Sequence, residues 1–277
     1  MEYNTNELSR LLDVSTNTIR RYEKMGYLSA DRNEQNGYRK FSHADVEKLM
    51  YVAKYRKVEF SHEEIADILN EDRKAIVKRF ETRKEEIDAQ IRHLQAVSHM
   101  LKDDIMLMHR VEEYGSDVIE LECSPFYYVL YQKRGKLCGP GIYAEKLHHF
   151  MSKCIEFEYL YLFEQQDVLD GKMIYSEGVG AHKHRTEKYN IDVSAPVEFY
   201  ERRPCILQFM RVPLDFRGAA DADPEGLYQQ LFGDLLKYME EHNMEACGDA
   251  LALKLGYSKE ENQKWQYILL HLPVVQK

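Results

Sequence analysis

Basic and hydrogen-bonding side chains crowd one short stretch near the start of the chain, NTIRRYEKMGYL at residues 17–28. Arginine guanidinium groups pair with phosphates and guanine edges, and hydroxyl and amide side chains bond to either. Residues 10–40 carry seven Lys or Arg against four Asp or Glu, although the whole chain has a formal charge of −9. The stretch therefore has the chemistry to bind duplex DNA locally, while the acidic total argues against a protein that coats nucleic acid everywhere.

The surrounding residues carry the start and stop signals of a helix-turn-helix. Thr5 can cap a first helix over NELSRLL, whose leucines share one face. Ser15 can cap a second helix, and Gly26 can end it. The second helix of this motif enters the major groove, so its polar side chains can reach bases and phosphates. The residues predicted to contact DNA from this helix are Ser15, Thr16, Asn17, Thr18, Arg20 and Arg21.

A small hairpin is predicted next, because Asn36-Gly37 is a strong tight-turn dipeptide. The hairpin would form a wing whose basic side chains lie beside the groove and reach phosphates. The wing residues predicted to contact DNA are Tyr38, Arg39 and Lys40. Two further helices follow, each opened by a capping box, SHAD at 42–45 and SHEE at 61–64.

Residues 72–114 contain no Gly or Pro and predict one long helix. Counting in sevens gives an apolar seam, which comprises Phe80, Ile87, Leu94, Leu101 and Met108. About forty residues make a rod roughly 60 Å long, and an isolated rod would leave this seam in water. A second copy of the chain is the simplest partner, which predicts a homodimer joined by a coiled coil. The alternative is that the helix folds back on the rest of its own chain.

Residues 117–277 change to the period of strands. EFEYLYLFE at 156–164 alternates, and PFYYVLY, KMIYSEGV, CILQFMRV, ALALKLGY and WQYILLHLPV also predict strands. Helices are predicted over YAEKLHHFMSKCI and PEGLYQQLFGDLLKYMEEH. This order indicates two related halves in an α+β domain with a mainly antiparallel sheet. The predicted architecture is therefore a winged helix-turn-helix domain (1–71), a coiled-coil dimerisation helix (72–114) and an α+β domain (117–277).

Aromatic side chains accumulate in this third region, in a chain with 20 Tyr and 11 Phe. Aromatic walls bind flat or cationic hydrophobic molecules by stacking and cation–π attraction. The candidates for such a pocket are Tyr143, Tyr159, Tyr161, Trp265 and Tyr267. The competing interpretation of each is a place in the core of the sheet.

Several other classes of protein have little support in the sequence. MEYNTNELSR is not typical of a signal peptide, and no eighteen apolar residues follow one another as in a membrane span. The five cysteines include no C-x-x-C pair, which favours reduced thiols in a cytoplasmic protein. The HH pair at 148–149 and HKH at 182–184 are interpreted as exposed histidines. We expect no cofactor, no metal site and no membrane contact.

Together, VSTNTIRRYEKMGYL, NGYRKF, VEKLMYVAKYRKVEFSHEEIADIL and the long helix resemble the MerR family of bacterial transcription regulators. The resemblance implies a winged-helix dimer joined by an antiparallel coiled coil and bound to an inverted repeat in double-stranded promoter DNA. The liganded dimer would distort an overlong spacer so that RNA polymerase engages both promoter elements. Residues that match family positions around DNA are Arg20, Tyr22, Tyr38 and Arg39. Arg21 and Phe41 stand where the family often has tyrosine.

The third region more loosely resembles the GyrI-like effector-binding domain of the multidrug-sensing, BmrR-like branch. This implies a small hydrophobic or aromatic effector. Relatives that bind cations carry a carboxylate in the last strand, near Leu269 here, but WQYILLHLPV has no acid. A counter-charge for a cation would come from elsewhere, and a neutral aromatic effector is a competitor. The available carboxylates are Glu156, Glu158 and Glu177.

Two other functions compete with a ligand-responsive activator. One is an architectural DNA-binding repressor that has no ligand. The other is an enzymatic third region, but the chain has no nucleophile elbow, P-loop or dinucleotide motif that would place a reaction. We therefore predict a regulator and not an enzyme.

Overall fold

The computed structural model describes residues 2–32, 37–115, 117–260 and 263–277. The chain divides into two compact units, Met1–Arg92 and His93–Lys277. The division falls inside a long helix, whereas the sequence suggests that this helix is a domain of its own. The predicted boundaries after residues 71 and 114 therefore stay predictions.

The first unit combines four short helices with a small antiparallel sheet. The helices are α1 (Thr5–Leu12), α2 (Thr16–Lys24), α3 (His43–Lys57) and α4 (His62–Ile68), and the strands are β1 (Glu2–Tyr3), β2 (Asp31–Arg32) and β3 (Arg39–Ser42). Strand β3 pairs with both β1 and β2, and the β2–β3 hairpin is the predicted wing. Of the predicted turn, Gly37 has a left-handed φ of 69°, while Asn36 lies outside the described residues.

Polar caps start these helices, as the sequence predicts for three of the four. Ser15 accepts a hydrogen bond from the first turn of α2, and capping boxes at 42–45 and 61–64 open α3 and α4. The prediction for α1 was wrong by one residue, because Asn4 rather than Thr5 is the N-cap. The extended backbone of Asn4 lets its carboxamide accept bonds from two amides of the first turn, and Thr5 is already helical.

Packing fixes the orientation of α2. The helices share one apolar core, whose buried members are Leu8, Ile19, Tyr27, Leu28, Phe41, Val46, Leu49, Val52, Phe60, Ile65 and Ile68. Ile19 is the fully buried residue of α2, while its neighbours Arg20 and Arg21 are exposed. The inward-facing isoleucine therefore turns the arginines outward.

Helix α5 (Arg73–Tyr114) confirms the long helix to within one residue of its predicted start. None of its residues is buried in the single chain. Leu94 and Leu101 of the apolar seam keep 64% and 50% of their surface exposed. An exposed apolar stripe of this kind is typical of a helix that packs against a partner.

The second unit is built on one large sheet, which has ten antiparallel strands in the described part of the chain. The strands are β4 (Val118–Glu122), β5 (Phe126–Lys133), β6 (Lys136–Leu137), β7 (Glu158–Phe163), β8 (Ser176–His182), β9 (Glu198–Tyr200), β10 (Pro204–Pro213), β11 (Met244–Ala246), β12 (Ala250–Glu260) and β13 (Gln263–Gln276). The helices are α6 (Ile142–Lys153), α7 (Gln165–Leu169), α8 (Lys183–Lys188), α9 (Phe216–Ala222) and α10 (Pro224–Glu241).

The topology confirms two related halves. One half runs β5, α6, β7, β8 and the other runs β10, α10, β12, β13. In each half the last strand lies between the other two, which gives the orders β5-β8-β7 and β10-β13-β12. The halves join where β7 pairs with β12. The predicted α+β fold is therefore correct.

The two faces of this sheet have different cover. Tyr161 and Phe163 of β7 pack in the core that includes α10, while Leu160 and Leu162 point to the other face. Helix α6 covers Val179 of β8. Because Val179 pairs with Tyr159, its side chain lies on the same face of the sheet as Tyr161 and α10. Both long helices thus lie on one face, and the opposite face is left for a cavity. In the described ranges, no helix is both long and apolar enough to cross a membrane.

Candidate functional site

The outer face of α2 carries most of the residues predicted to contact DNA. Asn17, Arg20 and Arg21 are exposed, and Thr16 and Thr18 are half-buried beside them. Tyr22 belongs partly to the core, because its ring lies 5.6 Å from that of Tyr27. Ser15 is exposed as well, but its hydroxyl caps the helix through the Thr18 amide. The helix therefore offers amide, hydroxyl and guanidinium donors on one side, and their contacts to DNA stay predictions.

The wing is fastened to α2 by an ion pair. Arg39 Nε donates to both carboxylate oxygens of Glu23, at 2.9 and 3.3 Å. Lys40 forms a second ion pair, with Glu2 of β1. Tyr38 immediately precedes β3, and 71% of its surface is exposed. The predicted phosphate contacts of the wing stay predictions, and the ion pair gives Arg39 a second task, which is to hold the wing beside the helix.

A cavity of about 540 Å³ lies in the second unit, between the open sheet face and the last turns of α5. Its volume falls in the range of pockets that take small organic molecules, roughly 300–1,000 Å³. The apolar wall consists of Leu121, Phe126, Leu207, Phe209, Leu251, Leu253, Leu255 and Leu269, and α5 adds Met106, Leu107 and Tyr114. A hydrophobic molecule would therefore touch both the sheet and α5.

A polar cluster stands at one side of this cavity. Arg185 donates to the carboxylate of Glu158 and, at 3.3 Å, to Asp103 of α5. His182 Nε2 lies 3.7 Å from the same Glu158 carboxylate. Among the described residues, His182 Nδ1 and Arg185 Nε are buried and find no hydrogen-bond partner. The cluster therefore has polar atoms that a ligand or water could satisfy.

Burial sets the charges of the cavity. It raises the pKa of Glu158 to about 7, and the neighbouring Arg185 only partly opposes this. Burial lowers the pKa of His182 to about 3 and that of His271 to about 4. Both imidazoles are therefore neutral at pH 7, so Arg185 is the cation of the cluster.

Glu158 is expected to make folding depend on pH. Because its folded pKa lies above the ordinary value of 4.5, its stabilising contribution is complete below that value and is lost as pH rises through 7. In urea unfolding, Glu158→Gln should reduce the difference in unfolding free energy between pH 5 and pH 8 by about 2 kcal/mol. Exposed Glu245 supplies the control, Glu245→Gln. An unchanged difference in the Glu158 variant would contradict the assigned pKa.

The five predicted effector residues do not line this cavity, and the structure divides them. Tyr159 and Tyr161 lie on the helix-covered face, where Tyr161 stacks on Phe216 at 4.3 Å. By strand alternation, Trp265 and Tyr267 share the face of Leu269, beyond the cavity lining. Tyr143 of α6 packs at the edge of a separate core cluster. Their contact with an effector stays a prediction.

Two features of the cavity differ from the sequence interpretation. The prediction that His182 is an exposed loop residue was wrong. His182 is the last residue of β8, and its side chain lines the cavity. The apolar wall was not predicted as a site. The sequence signal for it is that Leu251, Leu253 and Leu255 alternate with residues on the opposite face of β12. Glu158 was recognised as a possible counter-charge, and it does reach the cavity.

Comparison with known proteins identifies the first unit. Residues 3–72 match the model of the MerR HTH family regulatory proteins. A probable heavy metal-dependent transcriptional regulator of Haemophilus influenzae is 38% identical over 24% of this chain, which spans about half (52%) of that relative's length. The HTH-type transcriptional regulator HmrR of Rhizobium leguminosarum bv. viciae is 30% identical over 42% of this chain and 95% of its own length.

One solved structure aligns with nearly the whole chain. The EcmrR–DNA complex, solved by cryo-electron microscopy within the assembly EcmrR-RPo, aligns with 99% of this chain and 100% of the EcmrR chain. The identity over this alignment is 16% and the TM-score is 0.36. The family assignment rests on the match over residues 3–72 and on the alignment with 95% of HmrR at 30% identity. This chain belongs to the MerR family of helix-turn-helix regulatory proteins.

Proposed function

We propose that the chain is an effector-responsive transcription regulator that binds an inverted-repeat promoter as a homodimer. The observation that carries the proposal is the outward face of α2, with Arg20 and Arg21 exposed and the wing tied beside them through Arg39 and Glu23. A recognition helix in the major groove and a wing on the phosphates require this arrangement.

The exposed seam of α5 supports the dimer. In the single chain, Leu94 keeps 64% of its surface exposed and Leu101 keeps 50%. A second α5 would cover both side chains. A two-fold symmetric dimer presents two identical reading heads, so its site must be an inverted repeat. The coiled-coil arrangement of the two helices is part of this proposal.

The cavity supports control by a small hydrophobic or aromatic effector. Its α5 wall, with Met106, Leu107 and Tyr114, belongs to the helix that carries the seam. A ligand that prefers one placement of this helix shifts the dimer by its differential affinity for the two states. Distorting a promoter spacer costs roughly 1–6 kcal/mol, which such binding can offset. The distorted promoter would then engage RNA polymerase, and transcription would be activated.

Replacing Arg20 with alanine should weaken DNA binding by about tenfold or more, because each well-placed arginine contact supplies roughly 1–3 kcal/mol. The target is an inverted-repeat duplex taken from the DNA upstream of the gene that encodes this chain. The measurement is a mobility-shift titration at several salt concentrations. Lys237→Ala is the matched control, since it removes one positive charge from exposed Lys237 in the other unit. Equal affinities for the two variants would remove the α2 face from the interface.

A further inference from the structure

Every carboxylate that the sequence offers as a counter-charge for a cationic effector already has an internal cation. Lys188 Nζ lies 3.0 Å from Glu156, and Arg185 bonds to Glu158. Lys254 Nζ lies 3.2 Å from Glu177. At the last strand, where a carboxylate would face the cavity, stands Leu269. A cationic ligand would therefore find no uncompensated negative charge at these positions.

The ammonium group of Lys254 lies over an aromatic ring beside a carboxylate. Its Nζ lies 3.8 Å from the ring centroid of Tyr161, which is cation–π distance. The Glu177 carboxylate that it contacts also accepts a hydrogen bond from Tyr131 at 2.7 Å. Lys254 and Glu177 expose only 14% and 20% of their side chains, and Tyr161 is buried. The aromatic ring and carboxylate thus form a cation site whose occupant belongs to the chain itself.

The side chain of Lys254 is largely enclosed by the protein. Burial lowers the pKa of Lys254, and the charge and hydrogen bond of Glu177 act in the opposite direction. On the other face of the sheet, Glu158 bonds to the guanidinium of Arg185, which Asp103 also contacts.

We infer that Lys254 and Arg185 act as resident cations that make effector binding selective for uncharged hydrophobic molecules. The inference rests on the proposed function, since it names the chemical class of that effector. An organic cation would have to displace Lys254 from Tyr161 and Glu177, or enter the cavity beside the guanidinium of Arg185, which already pairs with the carboxylates there. An uncharged molecule of the same shape escapes both costs and still gains from the apolar wall.

The test compares two probes of nearly identical shape, the cation trimethylphenylammonium and the neutral tert-butylbenzene, by calorimetric titration of the full chain. Wild type should bind the neutral probe at least about tenfold more tightly than the cation. Lys254→Met keeps the side-chain length but removes the charge, so it should raise affinity for the cation by about tenfold. Lys254→Arg should keep the wild-type preference. Exposed Lys259 on the same strand supplies the control, Lys259→Met.

Equal affinity of wild type and Lys254→Met for the cation, including no measurable binding by either, would overturn the inference. So would a wild-type protein that prefers the cation. Circular dichroism and thermal melts of each variant establish that the compared proteins are folded. Because the titrations contain no DNA, this result is separate from the mobility-shift and transcription experiments that decide the proposed function.

Discussion

Leu94→Glu is expected to convert the dimer into monomers and to weaken binding to an inverted-repeat duplex by at least about 100-fold. The seam of α5 is apolar, and Leu94 keeps 64% of its surface exposed in the single chain. A carboxylate there would be buried against the second copy without a partner, which is strongly unfavourable. Each monomer would then bind one half-site alone and lose the gain of linked binding.

Gln95→Glu is the matched control for this prediction. It adds the same charge one residue away on exposed Gln95, off the seam. Sedimentation velocity gives the association state, and mobility shift gives the affinity. If Leu94→Glu stayed dimeric and bound as tightly as Gln95→Glu, the seam would not be the dimer interface, and the alternative of a helix folded on its own chain would gain support.

Arg185→Met is expected to destabilise the second unit by about 3 kcal/mol at pH 8. The change leaves Glu158 and Asp103 without the cation that bridges β7 and α5. Arg185 exposes only 14% of its side chain, so water replaces the lost contact poorly. The loss should be smaller at pH 5, because protonated Glu158 needs no counter-charge there.

Arg211→Met provides the comparison for the Arg185 prediction. Arg211 also forms one ion pair and stacks on an aromatic ring, but it is 57% exposed, and pairs of that kind contribute roughly 0–1 kcal/mol. Urea unfolding at both pH values measures the two variants. Adding Glu158→Gln to Arg185→Met should recover part of the loss. Equal losses of stability for Arg185→Met and Arg211→Met would show that the buried ion pairs of Arg185 stabilise the protein no more than an exposed ion pair does.

Local signals account for the parts of the fold that the sequence predicts well. The caps at Ser15, Ser42 and Ser61 act within three residues, and α5 follows from an unbroken run without Gly or Pro. Alternation in β7 correctly puts Tyr161 and Phe163 on one face of a strand. Such features depend on neighbours along the chain, so a single sequence is enough to find them.

The candidate effector site depends on residues that are distant in sequence. Alternation cannot show that Lys254, on β12, lies over Tyr161 of β7, because this requires the pairing of the two strands. Nor can it show that Arg185 reaches Asp103, 82 residues earlier. Until the strand order is known, an aromatic residue on a strand therefore fits two interpretations equally well. It can line a ligand pocket, or another side chain of the protein can cover its ring.

The most direct test of the account is the number of chains bound to one symmetric duplex. Sedimentation equilibrium of the purified protein with an inverted-repeat duplex should give two chains per duplex, and a duplex with a single half-site should bind far more weakly. A complex of one chain per duplex, with equal affinity for the single half-site, would contradict the proposal that two α2 helices read the promoter together.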